Sequence, residues 1–261
     1  MAGHILLEPL GELARVTLAN PDKLNAIDVA MWRELRAAFE RLRALPAADA
    51  PHAVIVCGAG DQFASGGDIA EFAGFRFDEA RLADFHENVV APALHAVLDC
   101  DIPTFAEIAG ACIGGGLEIA ACCDIRVCGA SSRFGAPIAK LGFPMAPGEL
   151  QALARVVAAP VLREMLLEAR LLDADAALRH GIVHEVVADD QLEAVVQKRA
   201  ERLAELSPQA ARLNKRTLRQ IAAGGPTEAE RRAHFAYADS AQHREGVTAF
   251  IEKRPPRFQR G

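Results

Sequence analysis

The chain lacks an excess of positive charge: 29 Lys and Arg stand against 35 Asp and Glu, a formal net charge of -6. That balance leaves no basic footprint for nucleic acid and no polybasic patch for a membrane surface. No stretch approaches the roughly 18 consecutive apolar residues of a membrane span. Residues 1–8 have no basic start followed by an apolar run, so a cytoplasmic protein is expected. Metal-type paired cysteine spacing is missing as well. Cys57, Cys100, Cys112, Cys122, Cys123 and Cys128 lie mostly inside apolar segments and are expected as reduced core thiols. The histidines are scattered, and His180 and His184 flank Gly181 in a turn rather than sharing a helix face, so no metal site is expected. Neither the Gly-Lys-Ser/Thr of a P-loop nor a Gly-x-Gly-x-x-Gly opening the first helix is present, which removes the dinucleotide reading.

What is present is the composition of a globular protein, 261 residues with 51% hydrophobic and 25% charged side chains, long enough to bury a substantial core. Short β-rich runs alternate with helical patterns, which indicates an α/β architecture. Residues 14–18 read as a strand. Asp28 can cap a helix carrying Trp32, Leu35, Phe39 and Leu42 at helical spacing. The apolar run 53–57, closed by Gly58-Ala59-Gly60, reads as a buried strand opening into a loop. A helical pattern covers 78–100, with Pro92 expected to kink or split it. Further strands are expected at 103–109 and 124–128, around a helix at 117–123. From Pro147 the pattern is helical, with breaks near Pro160, Gly181, Pro208 and Gly224-Gly225-Pro226 and one strand at 182–187.

Two loops deliver glycines from a buried strand to the start of a helix. In Phe63-Ala64-Ser65-Gly66-Gly67-Asp68-Ile69 the paired glycines can take φ values closed to other residues, and Asp68 can cap the next helix. In Gly114-Gly115-Gly116-Leu117-Glu118 unhindered amides meet the positive end of a helix, a setting for an oxygen that gains negative charge. Facing each other, two such donors would form an oxyanion hole. Ser65 beside these glycines has no base placed near it by any motif and reads as a loop hydroxyl.

Three segments, Asn20 to Ile27, Phe63 to Ile69 and Gly110 to Asp124, fall in the order and spacing of the motifs of the enoyl-CoA hydratase/isomerase (crotonase) superfamily, which the chain resembles over nearly its whole length. The resemblance implies a spiral of ββα units, with an acyl-CoA-binding core over 1–200. A helical trimerisation region over 201–261 would pack a homotrimer or a dimer of trimers. It implies oxyanion-hole amides at Gly67 and Gly115. CoA contacts are implied at Lys23, Leu24, Asn25, Ser65, Gly67, Asp68 and Ile69, with Phe250 and Lys253 reaching the CoA of a neighbouring subunit. No cofactor is implied beyond the coenzyme A of the substrate.

Glu118 lies in an otherwise apolar helix, where burying a charge is costly unless it is used or paired. Desolvation there favours a carboxyl group able to take and give a proton. The family's hydratases carry a second glutamate just after the Phe-Gly-x-Pro motif, and here that position is Ile138, which cannot transfer protons. Two other carboxylates are candidates for an accessory role. Glu149 also reads as a helix-start charge, and Glu107, interrupting an apolar strand, as an ion pair at a subunit contact. The reaction implied is hydration of a 2-enoyl-CoA. Isomerisation, decarboxylation-type enolate chemistry and non-catalytic acyl-CoA binding stand as alternatives because of Ile138.

Overall fold

The computed structural model describes residues 3–258. It opens with an antiparallel pair, β1 (His4–Leu10) and β2 (Leu13–Ala19), turned at Gly11, whose φ of 61° suits a residue without Cβ. Helix α1 (Val29–Ala44) is capped by Asp28, whose carboxylate accepts the Met31 amide at 2.8 Å. Its buried stripe of Met31, Trp32, Leu35, Ala38, Phe39 and Leu42 obeys the helical period. β3 (Val54–Gly58) comes next, then α2 (Ile69–Phe72), α3 (Glu79–Asp84) and α4 (Ala91–Leu98). The expected break at Pro92 takes the form of a π turn over Phe85–Val90, in which the Ala91 amide reaches back five residues to the His86 carbonyl. Proline has no N–H for the Asn88 carbonyl and its ring crowds that oxygen, so the backbone widens by one residue.

The centre of the chain repeats a pattern of two strands and a helix. β4 (Thr104–Ile108) leads to β5 (Ala111–Ile113) and α5 (Gly115–Cys122). β6 (Ile125–Gly129) leads to β7 (Arg133–Gly135), then α6 (Pro147–Ala154) and α7 (Ala159–Leu167). β8 (Leu172–Asp173), α8 (Ala174–Arg179), β9 (Glu185–Val187) and α9 (Leu192–Ala204) come after these, then α10 (Pro208–Ala222), α11 (Glu228–His234) and α12 (Ala241–Glu252). The first strand of each unit joins a six-stranded sheet of order β1-β2-β3-β4-β6-β9, parallel except for β1. The second turns into a small sheet of order β5-β7-β8. Ala64, bridged to Cys112, makes the same turn after β3. This is the expected spiral of ββα units.

The inner strands of the large sheet are covered on both faces and are largely apolar on both sides, whereas the edge strand β1 is mostly exposed. Val16, Leu18, Val54, Val56, Ala106 and Ile108 face the main core, with α1, α4 and α5. The alternate positions Leu13, Ala53, Ile55, Phe105 and Val127 face Leu192, Val196 and Ala200 of α9. Residue 200 thus lies within a helix of the body, and α10 begins beyond it at Pro208. All six cysteines are free and buried. Burial raises every one of their thiols, Cys123 and Cys128 to about 12.

Candidate active site

A cavity of about 290 Å³ opens where α5, α6, the π turn and the 65–69 loop converge. Its backbone donors come from the two glycine loops. Ile27 gives its N–H to the Gly66 carbonyl at 2.8 Å and accepts the Asp68 amide at 2.9 Å. In such a parallel bridge the intervening Gly67 N–H points away from Ile27. Across the cavity, the Gly114 amide is bonded to the Gly135 carbonyl at 2.8 Å, and Gly115 is the first residue of α5, a position with no intrahelical acceptor. Neither the Gly67 nor the Gly115 amide has an acceptor among the described residues.

Glycine is required here on two grounds. Gly66 and Gly114 have φ of 113° and 50°. A Cβ on Gly115 would stand 2.8 Å from Trp32 Cζ2.

Glu118 sits one turn into α5, 5% exposed, and lines the cavity. Burial lifts its carboxyl well above the usual carboxylate range; the charge of Glu149 adds to the rise, and the guanidinium of Arg76 opposes it. Glu149, in the first turn of α6, is also buried, and its Oε1 lies 2.5 Å from His86 Nδ1. Arg76 lies over the rings of Phe72 and Phe143, 3.9 Å from each centroid. Its Nε is buried without a hydrogen-bond partner among the described residues, and burial lowers its pKa. Ile138, on a 3-10 turn, contributes an apolar side chain to the same wall. Two backbone donors, two carboxyl groups, a histidine and an arginine therefore face one largely apolar chamber.

The model of the enoyl-CoA hydratase/isomerase family matches residues 10–261. The chain belongs to the enoyl-CoA hydratase/isomerase family. It is 34% identical over 259 residues to a probable enoyl-CoA hydratase of Rhizobium meliloti (strain 1021), covering 98% of this chain and 97% of that one. Crotonyl-CoA hydratase of Syntrophomonas wolfei subsp. wolfei is 31% identical, with 98% and 97% covered. A crystal structure of an enoyl-CoA hydratase/carnithine racemase from Magnetospirillum magneticum superposes at a TM-score of 0.93 with 40% identity, over 98% of this chain and 96% of that one.

Within this member of the enoyl-CoA hydratase/isomerase family, Gly67, Gly115, Glu118, Ser65 and Ile69 meet at the cavity, and Glu149 joins them. Lys23 and Leu24 lie outside its wall. Lys23 Nζ is 2.5 Å from Asp68 Oδ2, and Asp68 caps α2 through the Ala70 amide, so both ends of that pair tie the loop to the helix. Ser65 Oγ donates to the Lys23 carbonyl at 3.1 Å.

Asn25 and Glu107 lie outside the cavity wall. The Asn25 side chain is buried, donating to the Ala59 and Gln62 carbonyls at 2.8 and 2.7 Å and accepting the Asn20 amide at 3.0 Å, so both of its N–H groups are spent inside the fold. Glu107 alternates with the core-facing Ala106 and Ile108, on the α9 face of the sheet. It pairs there with Arg15 at 3.5 Å and is removed from the cavity. Phe250 and Lys253 end α12; Phe250 lines a separate cavity among α10, α12 and Tyr237. His86 and Arg76 have no signature in the sequence, because neither lies in a motif; only the nearby Pro92 marks that helix as irregular.

Proposed function

We propose that this chain is an enoyl-CoA hydratase, adding water across the double bond of a 2-enoyl-CoA. The observation that carries this reading is the meeting of two unengaged backbone amides, Gly67 and Gly115, with the desolvated carboxyl of Glu118 in one chamber. The amides would accept the thioester oxygen as it gains charge on enolate formation, with the N-terminus of α5 adding its dipole. Glu118, whose carboxyl burial lifts well above the usual carboxylate range, is placed to deliver a proton to the α-carbon of that enolate. The thioester carbonyl itself supplies the acidity, so the proposed chemistry draws on no metal or redox cofactor. Lys23, Leu24, Ser65 and Ile69 would border the CoA arm.

Phe250 and Lys253 would reach a neighbouring subunit's ligand in a homotrimer or a dimer of trimers, a role their position away from their own cavity allows. The exposed Leu218, Ile221 and Ile251 add apolar surface on the same helices. Among the described residues no helix is long and apolar enough to cross a membrane.

The test is a steady-state assay on crotonyl-CoA and longer 2-enoyl-CoAs with wild type and Glu118→Gln. Glu118→Gln is expected to lower kcat by about 10²- to 10⁴-fold with KM little changed, because the amide keeps the shape but cannot give the proton. Binding of CoA esters without turnover by the wild type would defeat the proposal.

A further inference from the structure

With Ile138 standing where the resemblance places the second glutamate, the water lacks its expected base. Within the same chamber the structure supplies another carboxylate from a different element. Glu149 comes from the first turn of α6 rather than from the 3-10 turn of Ile138, and α6 packs directly against α5, which carries Glu118. Glu149 is 7% exposed, yet it lines the cavity. His86 Nδ1 engages Oε1, and the other carboxylate oxygen has no hydrogen-bond partner among the described residues. Burying a carboxylate in an apolar wall is costly, and a lone helix-start charge would be solvated at the surface instead.

We infer that Glu149, held by His86, is the group that activates water in this enzyme, so that the second carboxylate has moved from the 138 position to α6. This assignment rests on the hydratase reading above. His86 is a positioning residue. It reaches Glu149 because the π turn forced by Pro92 brings it to the cavity wall.

Glu149 takes a proton from water as the water oxygen bonds to the β-carbon, and the π pair of the double bond moves onto the α-carbon and the thioester oxygen. That enolate is held by Gly67 and Gly115, and its electron pair takes the proton of Glu118 to close the α-carbon C–H bond. Glu149 is then protonated and Glu118 ionised. One proton passed from Glu149 to Glu118, directly or through solvent, restores both.

The experiment separates water activation from enolate formation. Hydration of crotonyl-CoA is measured beside the exchange of the α-protons of butyryl-CoA in D2O, in which the ionised form of Glu118 takes the α-proton, the amides hold the enolate and no water is added. Glu149→Gln is expected to lose about 100-fold or more in hydration while keeping exchange within about fivefold of wild type, whereas Glu118→Gln loses both. His86→Asn, which keeps a donor near Nδ1, is expected to hydrate faster than His86→Ala. Retained exchange also shows that the variants are folded. Near-wild-type hydration by Glu149→Gln overturns the inference, as does equal loss of hydration and exchange, and near-wild-type hydration by His86→Ala overturns the positioning role. A wild type that exchanges but never hydrates overturns instead the hydratase reading on which the inference stands.

Discussion

The carboxyl of Glu118 has no hydrogen bond or ion pair among the described residues, and it is lifted first by burial and then by the charge of Glu149. The consequence for stability has a definite sign. An unfolded glutamate releases its proton near the ordinary value of 4.5, whereas folded Glu118 retains it to a higher pH. Above 4.5 the unfolded chain therefore binds fewer protons, and stability falls as pH rises until the folded group ionises too. Glu118→Gln removes this dependence. The Gln variant is expected to gain stability relative to wild type as pH rises above 4.5, read as a growing difference in urea midpoint. A constant difference would mean that Glu118 is ionised in the folded protein. The residue whose ionisation is disfavoured by folding is the one the proposed chemistry uses, a common relation at an active site.

Among the elements, α10 shows how a helix of mixed polarity is docked. Lys215 is buried and gives its ammonium to the Ile102 carbonyl at 2.9 Å and to Asp124 Oδ2 at 2.6 Å; Asp124 in turn accepts the Thr104 amide at 2.7 Å. Removing one partner leaves the other charge unmatched. Lys215→Met is expected to cost about 2–3 kcal/mol in chemical denaturation, and Lys215→Met with Asp124→Asn less than that, since the pair is then removed together.

Elements of this kind differ in how legible they are. α1 and β3 can be read from the period of their apolar residues and from Asp28, signals that lie within one element. The glycine loops can be read because glycines and a cap residue crowd into a few positions. β5, β7 and β8 are two or three residues long and carry no period of their own. The pairing of His86 with Glu149 joins residues 63 apart, and the ties of Asn25 reach a loop more than 30 residues on, so neither has a local signature. Only tertiary packing places them.

The whole molecule has an apolar surface on its last helices that the isolated chain does not cover. Phe250 is 84% exposed and Ile251 72%, and Leu218 and Ile221 are exposed on α10. Surface of that character is normally buried in an assembly. The proposed homotrimer or dimer of trimers predicts a solution mass of three or six times 27.9 kDa by light scattering. Phe250→Asp is expected to shift it toward the monomer and to raise KM for the CoA ester. A wild type that elutes as a monomer, with Phe250→Asp unaltered in KM, would remove the neighbouring subunit from the site.

The six cysteines bear on how this protein could be tracked in solution. None forms a disulfide, all are buried, and burial suppresses the thiolate form on which alkylation depends. Five of them, Cys100, Cys112, Cys122, Cys123 and Cys128, sit in the main core itself. A thiol reagent added to the native protein must then wait for the core to open, and the rate at which label is incorporated becomes a clock for breathing of the interior, with no probe introduced by mutation.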